Sequence, residues 1–399
     1  MSSVVIPELD IDPFDPVALA DPLATDTAIR EAGSLVWLPR YGVYATGRYD
    51  VAREIFMDWE RFSSAYGTGL TNIRRETPWR KPSVILEVDP PAHGAARKVL
   101  MRALSPIAMK ALQARFQAEA DAMVDAVVAR GSFDAARDLA FAFPFKVLPD
   151  AVGLRPESRE HLIPYATLNF NAMGPRNALY QAALEVVERE GTFAFVEWQC
   201  ARDNILPGGF GEAIYQAADA GEIGHDDAAL LVRTFLSAGI DTTILGIGLT
   251  LWHLARDPAQ WQRLVDDPSL ARAAFDETLR LTPPSPIIGR TTSRACELQG
   301  VPLPAEQKVL MFLGAANRDP RRWDAPECYD LTRRSSGHLA FGTGIHGCVG
   351  QAVARLEAEC VLGSLARRAR TLTLTGESQP LLNNWLRGYQ SIPVQVQPA

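Results

Sequence analysis

Apolar residues recur at helical spacing through most of the chain beyond about residue 91. This periodicity predicts helices over residues 105–130, 156–167, 178–200, 226–256 and 268–281, and a further helix that begins after Cys348. The stretch 226–256 is the longest apolar helix candidate, and the stretch 268–281 ends where two prolines follow Thr282. Residues 1–30 are rich in Pro and Asp before they too become helical in pattern.

Alternation typical of strands occurs only towards the two ends of the chain. Residues 35–38 and 43–46 predict two short strands around a turn, and short strand-like pieces occur around residues 294–313. The order of elements is therefore mainly α with a minor β part.

Two long segments, residues 63–92 and 316–337, have no regular pattern and predict loops. The first contains four prolines, and loops of this length inside a compact protein are often functional. Where it ends, Pro91 can occupy the first turn of a helix and Asp89 offers that helix a cap.

Composition limits the classes of function. The chain has 399 residues, of which 47% are hydrophobic and 22% charged, as in a globular protein large enough to enclose a cofactor. Residues 1–399 contain no internal repeat or low-complexity linker, so we treat them as a single domain. A net charge of −7 argues against nucleic-acid binding, which needs a basic surface.

We expect a cytoplasmic protein that is not associated with a membrane. The N-terminal residues lack the basic and apolar regions of a signal peptide. No uninterrupted apolar run reaches the length of about 18 residues that predicts a membrane span. The five cysteines are scattered without a C-x-x-C spacing, which fits a reducing compartment and argues against a zinc site.

The segment from Phe341 to Gly350 reads Phe-Gly-Thr-Gly-Ile-His-Gly-Cys-Val-Gly. Glycines let a backbone approach a flat ligand, and a helix beginning just after Cys348 would stabilise a thiolate able to bind iron. The residues alone leave three other interpretations open. They are a small buried cysteine in a glycine-rich turn, a dinucleotide-binding G-x-G-x-x-G loop, and a nucleophilic Cys348 with His346 as its base. The dinucleotide loop is disfavoured because no clear strand precedes it and no βαβ unit follows.

The same segment resembles the haem-binding loop of the cytochrome P-450 superfamily, F-G-x-G-x-H-x-C-x-G, at every specified position. The resemblance covers nearly the whole chain and implies the fold of that superfamily, a mainly α triangular prism with a long helix over a buried haem. It also implies that Cys348 binds the iron of haem b through its sulfur.

A second motif lies about 70 residues before Cys348, where Glu277 and Arg280 share one face of a predicted helix. Alone, such a pair is usually an exposed ion pair of little energetic value. Its position matches the E-x-x-R motif of the superfamily. The resemblance therefore implies a structural ion network of Glu277, Arg280 and Arg333 behind the haem.

The longest predicted helix contains Gly239-Ile240-Asp241-Thr242. From the residues alone, a glycine kink with threonine hydroxyls bonded back to the helix is a sufficient explanation. The resemblance implies that Asp241 and Thr242 form the acid–alcohol pair on the oxygen-binding side of the iron, where O₂ activation requires protons. A loosened turn at Gly239 would make room for O₂.

Four side chains match superfamily positions that bind the haem propionates, namely His93, Arg97, Arg290 and His346. His93 and Arg97 are four residues apart and would point the same way on a helix. Charge-assisted hydrogen bonds from these groups suit two carboxylates. A His93 that caps a helix is the simpler alternative.

The resemblance implies a monooxygenase that inserts one atom of O₂ into a C–H bond or removes an O-alkyl group. Electrons would come from NAD(P)H through a ferredoxin reductase and a ferredoxin. The alternatives are a hydroperoxide-driven peroxygenase, which would not need Asp241 and Thr242, and a non-catalytic haem sensor.

Basic residues cluster on the segment expected near the proximal face of the haem: Lys98, Arg102, Lys110 and Arg115. Positive charge there would attract an acidic ferredoxin. An ordinary solvated helix face explains the same residues equally well.

The chain resembles in particular the bacterial enzymes that oxidise para-substituted benzoic acids such as methoxybenzoates. A small aromatic substrate would then contact Arg80, Ser83, Leu86, Phe170, Met173, Arg233, Thr234, Ala238, Ser285 and Ile288. Four of these positions depart from the pattern of those enzymes: Thr234 replaces serine, Met173 and Ile288 replace phenylalanine, and Ser285 replaces valine. A neutral phenolic or methoxyaromatic substrate is therefore the alternative.

Overall fold

The computed structural model describes residues 6–399, in which helices predominate. The α-helices are α1 (Pro16–Ala20), α2 (Leu23–Ala32), α3 (Tyr49–Met57), α4 (Ala92–Ala103), α5 (Pro106–Arg130), α6 (Ala142–Val152), α7 (Leu162–Asn171), α8 (Ala178–Arg189), α9 (Thr192–Cys200), α10 (Phe210–Asp219), α11 (His225–Thr234), α12 (Ile240–Arg256), α13 (Pro258–Asp266), α14 (Ala271–Leu281), α15 (Leu313–Ala316) and α16 (Gln351–Arg368). The mainly α class with a minor β part is thereby confirmed.

The strands form one sheet of five strands and three smaller sheets. They are β1 (Val36–Leu38), β2 (Val43–Thr46), β3 (Phe62–Ser63), β4 (Ser132–Asp134), β5 (Ile287–Thr292), β6 (Cys296–Leu298), β7 (Val301–Leu303), β8 (Lys308–Phe312), β9 (Ala369–Leu374), β10 (Gln379–Pro380), β11 (Tyr389–Ser391) and β12 (Pro393–Pro398). The largest sheet has the order β1-β2-β8-β5-β3, and only β2 and β8 pair in parallel. It therefore joins the N-terminal hairpin to strands that follow about 240 residues later.

Several predicted elements are present with altered boundaries. The predicted helix over 178–200 is two helices, α8 and α9. They are separated at Gly191, whose positive φ of 66° interrupts the helix before α9 begins. The predicted helix over 156–167 begins later, as α7. Strand β5 was not predicted, because Pro284 and Pro286 obscure an apolar run that is buried between two neighbouring strands.

The predicted cap of α4 by Asp89 is wrong. Pro91 precedes the first helical residue, and no side chain caps that end. The Asp89 carboxylate instead accepts hydrogen bonds from the Ser63 hydroxyl and from the Ser64 backbone N–H, the latter at 3.1 Å. A carboxylate in a loop takes whichever N–H and O–H donors tertiary packing brings closest, here those of β3 and the residue after it.

The longest helical unit runs from α11 through a π-helical turn, Phe235–Gly239, into α12. The loosened turn predicted at Gly239 is thus present. By length and hydropathy the unit His225–Arg256 would suffice to cross a membrane, but 56% of its apolar window is buried inside the protein. It packs against α6, α14 and α16, as a core helix does.

The Glu277–Arg280 pair is fully buried and not an exposed ion pair. Glu277 accepts from Arg280 Nε and Nη2, both at 2.8 Å, from Arg333 Nε at 3.0 Å and from Ser335 Oγ at 2.5 Å. Arg280 Nη1 donates to the carbonyls of Asn317 and Pro326. The predicted network is confirmed, and it ties α14 to the loop that precedes the Cys348 segment.

We expect Arg280→Met to lower the free energy of unfolding by about 3–5 kcal/mol, because it leaves the buried Glu277 carboxylate without its main partner. Arg272→Met on the same helix is the matched control, since Arg272 is 59% exposed and lies 3.6 Å from Glu359. The control should change stability by less than about 1 kcal/mol. Denaturant unfolding of the haem-loaded proteins measures both, and equal effects would contradict a structural role for the network.

Candidate active site

A cavity of about 300 Å³ lies between the π-helical turn of the long helix and the Cys348 segment. We call it the central cavity. Loop 64–91, α4, α7, the segment before β5 and the start of α16 complete its wall, which is mainly apolar. Such a large apolar space with a few polar groups is the usual form of a site for a cofactor or small molecule.

Backbone hydrogen bonds shape the Cys348 segment into a tight loop. Cys348 N–H donates to the Phe341 carbonyl at 2.7 Å, and Gly347 N–H donates to the Gly344 carbonyl at 3.2 Å. Gly344 has a φ of 71°, and a Cβ there would lie 2.5 Å from the Phe56 carbonyl oxygen. Glycine is therefore required at this position, and the loop presents Cys348 to the cavity while packed against α3.

Cys348 is half-buried and lines the cavity wall. Burial raises the pKa of the thiol, while hydrogen bonds from the backbone N–H groups of Gly350 and Gln351 and the charge of Arg97 act in the opposite direction. Because α16 begins at Gln351, its N-terminal N–H groups point towards the sulfur. These groups would stabilise a thiolate once a metal ion replaced the proton.

Three of the four residues predicted to bind propionates, Arg97, Arg290 and His346, line one edge of the cavity, and His93 packs against His346. The rings of His93 and His346 lie 4.5 Å apart between centroids, and neither Nε2 has a hydrogen-bond partner in the described part of the chain. Arg97 Nη1 donates to the Gly347 carbonyl at 2.5 Å, and Arg290 donates only to the carbonyl of Gly289. The free Nε2 of His93 excludes the simpler alternative of a capping histidine.

This edge is positively charged and buried. Burial lowers the pKa of Arg290 to about 10 and that of His346 to about 3. Within residues 6–399, neither Arg97 nor Arg290 forms a salt bridge with a carboxylate. Buried guanidinium groups without counter-ions are costly, so an anionic ligand is needed there. A flat apolar cofactor with two carboxylates and an iron facing Cys348, as in haem, fits these residues.

On the opposite side of the cavity, Thr234, Ala238 and Thr242 line the wall at intervals of four residues. Thr242 Oγ1 donates to the Ala238 carbonyl at 2.8 Å, so the helix-bonded arrangement weighed from the sequence is present. Asp241 is buried next to this row but does not line the cavity, because successive helical residues are rotated by about 100°.

The carboxyl group of Asp241 has no hydrogen-bond partner among the described side chains and backbone groups. Burial raises its pKa to about 7. A carboxyl that is near half protonation at neutral pH can both hold and release a proton.

Eight of the ten predicted substrate residues line the central cavity: Arg80, Leu86, Phe170, Met173, Thr234, Ala238, Ser285 and Ile288. Ser83 and Arg233 do not. Ser83 Oγ accepts the Leu86 N–H at 3.2 Å within a turn, and Arg233 Nη2 donates to the Lys81 carbonyl at 2.7 Å. The two residues adjoin the Arg80 end of the cavity from behind its wall.

Glu87 and Asn169 are cavity-lining polar residues that sequence reasoning missed. Arg80 Nη1 donates to Glu87 Oε2 at 2.9 Å, and Arg80 Nε donates to Asn169 Oδ1 at 3.0 Å. Opposite charges seven residues apart in one proline-rich loop were a usable signal for Glu87. Asn169 gave none, because a polar residue in a helix is ordinarily exposed.

The basic residues Lys98, Arg102, Lys110 and Arg115 are all exposed. Arg102 is bound to Glu222 at 2.8 and 3.1 Å, so its charge is already partnered. Two large apolar side chains, Met101 and Ile107, are 57% and 83% exposed on the same segment.

Comparison with known proteins places these features in a family. A family model described as cytochrome P450 matches residues 210–397. Cytochrome P450 CYP199A2 of Rhodopseudomonas palustris is 50% identical over 99% of this chain and 95% of its own length. Erythromycin C-12 hydroxylase of Saccharopolyspora erythraea is 31% identical over 92% and 91%. The structure of cytochrome P450 CYP109Q5 from Chondromyces apiculatus superposes with a TM-score of 0.83 at 27% identity, over 99% of this chain and 100% of that one.

Replacing Asp241 with Asn should change how stability depends on pH. Between about pH 4 and about pH 7 the folded wild type keeps a proton on Asp241 that the unfolded chain has lost. As the pH rises through that window, the free energy of unfolding of wild type therefore falls relative to Asp241→Asn. The fall should be on the order of 2–4 kcal/mol, with no further change above it.

Urea unfolding at about pH 4.5 and about pH 8 measures this difference. Asp324→Asn, in an exposed loop, is the matched control and should show the same stability relative to wild type at both pH values. An Asp241→Asn protein that behaves like this control would contradict the raised pKa.

Proposed function

Because the chain belongs to the cytochrome P450 family, we propose that it hydroxylates or O-demethylates a para-substituted benzoic acid such as a methoxybenzoate. Family membership makes it a monooxygenase that binds haem b through a cysteine thiolate. We propose that residues 1–399 form a single domain. One observation supports an acid substrate. Two guanidinium groups, those of Arg80 and Arg233, adjoin the same end of an otherwise apolar cavity.

We assign the thiolate to Cys348 and the propionate contacts to His93, Arg97, Arg290 and His346. Bound haem b supplies the iron at which O₂ is activated and from which one oxygen atom reaches the substrate. The N–H groups around Cys348 stabilise negative charge on its sulfur. The cationic edge formed by Arg97 and Arg290 would hold the propionates and would thereby orient the ring.

Asp241 and Thr242 are proposed to deliver protons on the substrate side of the haem. The Thr242 hydroxyl donates to the Ala238 carbonyl, so its oxygen remains able to accept a hydrogen bond from water in the cavity. Asp241 holds a proton near neutral pH and is buried directly beside Thr242, so we propose that it stores this proton behind the cavity wall. Ala238 is small and leaves space for an aromatic ring beside these groups.

Electrons reach a P450 from a redox partner, which we propose is a ferredoxin reduced by an NAD(P)H-dependent reductase in the cytoplasm. Lys98, Lys110 and Arg115 supply exposed positive charge for an acidic ferredoxin. The exposed side chains of Met101 and Ile107 supply apolar contact area between these charges.

A neutral phenol or methoxyarene is the second candidate substrate. Arg80 is already paired with Glu87, and the Ser83 oxygen is occupied by a backbone N–H. Both groups therefore have protein partners that an anion must share or displace.

Thr242→Ala should retain haem and substrate binding but divert electrons from product to hydrogen peroxide. The loss of a positioned proton donor should lower product formed per NADH by roughly 10–100-fold. Thr250→Ala is the control, because Thr250 Oγ1 makes the same type of bond to the Gly246 carbonyl on α12 outside the cavity. Product and peroxide assays measure the ratio, and equal coupling in both variants would remove Thr242 from proton delivery.

The acid substrate is tested by titrating para-methoxybenzoate and its methyl ester into the haem-loaded protein and following the haem spin state. The acid should bind more tightly than the ester. Arg233→Gln should weaken only the acid, by roughly 1 kcal/mol, because Arg233 lies behind the cavity wall and attracts the carboxylate through space. Arg176→Gln is the control, because the exposed Arg176 donates to the Tyr180 hydroxyl instead. Equal affinity for acid and ester would favour the neutral substrate.

A further inference from the structure

The Arg80 end of the central cavity contains a compact cluster of three charged side chains, Arg80, Glu87 and Arg233, which we call the charge cluster. The Lys81 carbonyl accepts from Arg80 Nη1 at 3.0 Å and from Arg233 Nη2 at 2.7 Å. Sharing one acceptor brings the two guanidinium groups close together. Two like charges held this close repel each other unless an anion lies beside them.

Glu87 is that anion. Its carboxylate accepts from Arg80 Nη1 at 2.9 Å and from the Ser83 backbone N–H at 2.6 Å. The side chains of Arg80 and Glu87 are 14% and 11% exposed, so solvent screens the pair only partly. Two positive charges and one negative charge leave the charge cluster with one positive charge in excess.

The geometry leaves one donor of Arg80 weakly used. Arg80 Nε donates to Asn169 Oδ1 at 3.0 Å. The amide nitrogen of Asn169 donates in turn to the Ser237 carbonyl in the π-helical turn. Arg80 Nη1 is bound by Glu87 and Lys81. Arg80 Nη2 has only a 3.5 Å contact to Glu87 Oε1, at the limit of a hydrogen bond. An incoming carboxylate can bind this donor without breaking the shorter contacts.

Glu87 also lies where the cavity approaches the surface. It lines the central cavity, a neighbouring pocket of about 40 Å³ with Trp79 and Arg176, and an outer cleft with Arg74 and Asp89. The negative charge of Glu87 also interacts with the buried Lys308. The Lys308 ammonium, however, donates to the Gly67 carbonyl and does not line the central cavity. The charge on Glu87 therefore acts mainly on what occupies the Arg80 end.

We propose that Glu87 is a specificity-determining residue that offsets one of the two arginines, so that the cavity holds a singly charged acid with moderate affinity. This inference rests on the proposed acid substrate. Without Glu87 the charge cluster would carry two uncompensated positive charges and bind an acid more tightly. A neutral ester of the same shape would be indifferent to the change, because it carries no charge.

Glu87→Gln tests the inference, since Gln keeps an oxygen to accept from Arg80 and Ser83 while the charge is lost. The haem-loaded protein is titrated with para-methoxybenzoate and with its methyl ester, and the haem spin state is recorded. The acid should bind about tenfold more tightly than to wild type, as expected when a like charge leaves a partly buried anion site. Affinity for the ester should stay within about twofold of wild type, a difference of about 0.4 kcal/mol.

Glu76→Gln is the matched control, because it removes one negative charge from the same loop at an exposed position outside the cavity. It should leave both affinities unchanged. If Glu87→Gln weakens acid and ester together, Glu87 only supports the loop and the inference is overturned. If wild type prefers the acid and Glu87→Gln leaves that preference unchanged, the inference also fails. If wild type binds acid and ester equally, the acid substrate itself is contradicted, whatever Glu87→Gln does.

Discussion

The rest of this structure depends on one constraint: Arg290 is buried and Arg97 half-buried, and neither pairs with a carboxylate among the described residues. A guanidinium taken out of water costs several kcal/mol unless a counter-ion replaces its hydration. Arg97, Arg290 and His346 line one cavity, and the ring of His93 lies 4.5 Å from that of His346 between centroids. An anionic ligand would supply the negative charge that these groups lack. The loop from Phe341 presents Cys348 to the same cavity, which supports the proposed thiolate contact to the haem iron.

The backbone around the cavity departs from regular geometry on both of its sides. The long helix widens into a π-helical turn at Phe235–Gly239, and the Cys348 loop uses Gly344 in a conformation that no other residue could occupy beside Phe56. Rigid neighbours hold both features. The Glu277–Arg280 network anchors the loop ahead of Cys348, and α6, α14 and α16 pack around α12. Strain at the site is offset by packing behind it.

The two charged regions of the cavity differ in how completely the protein balances them. At the haem edge, no carboxylate among the described residues pairs with the arginines, and the cofactor supplies the negative charge. At the Arg80 end, Glu87 supplies one negative charge against two guanidinium groups. A resident cofactor is bound once and can be held by full charge pairing. A substrate must also dissociate. Because Glu87 offsets one of the two positive charges, an acid is held less tightly there and can be released.

The sequence by itself determined the chemistry of the haem site. The spacing from Phe341 to Gly350 and the spacing between Glu277 and Arg280 are local, and local spacing fixes which side chains share a loop or a helix face. Only the tertiary structure decided that β2 pairs with β8, that Asp89 binds Ser63 instead of capping α4, and that Asp241 lies behind the cavity face. It also decided that Glu87 and Asn169 enclose Arg80. These contacts depend on how elements that are distant in sequence pack together. The hydrophobic periodicity along the chain carries no information about that packing.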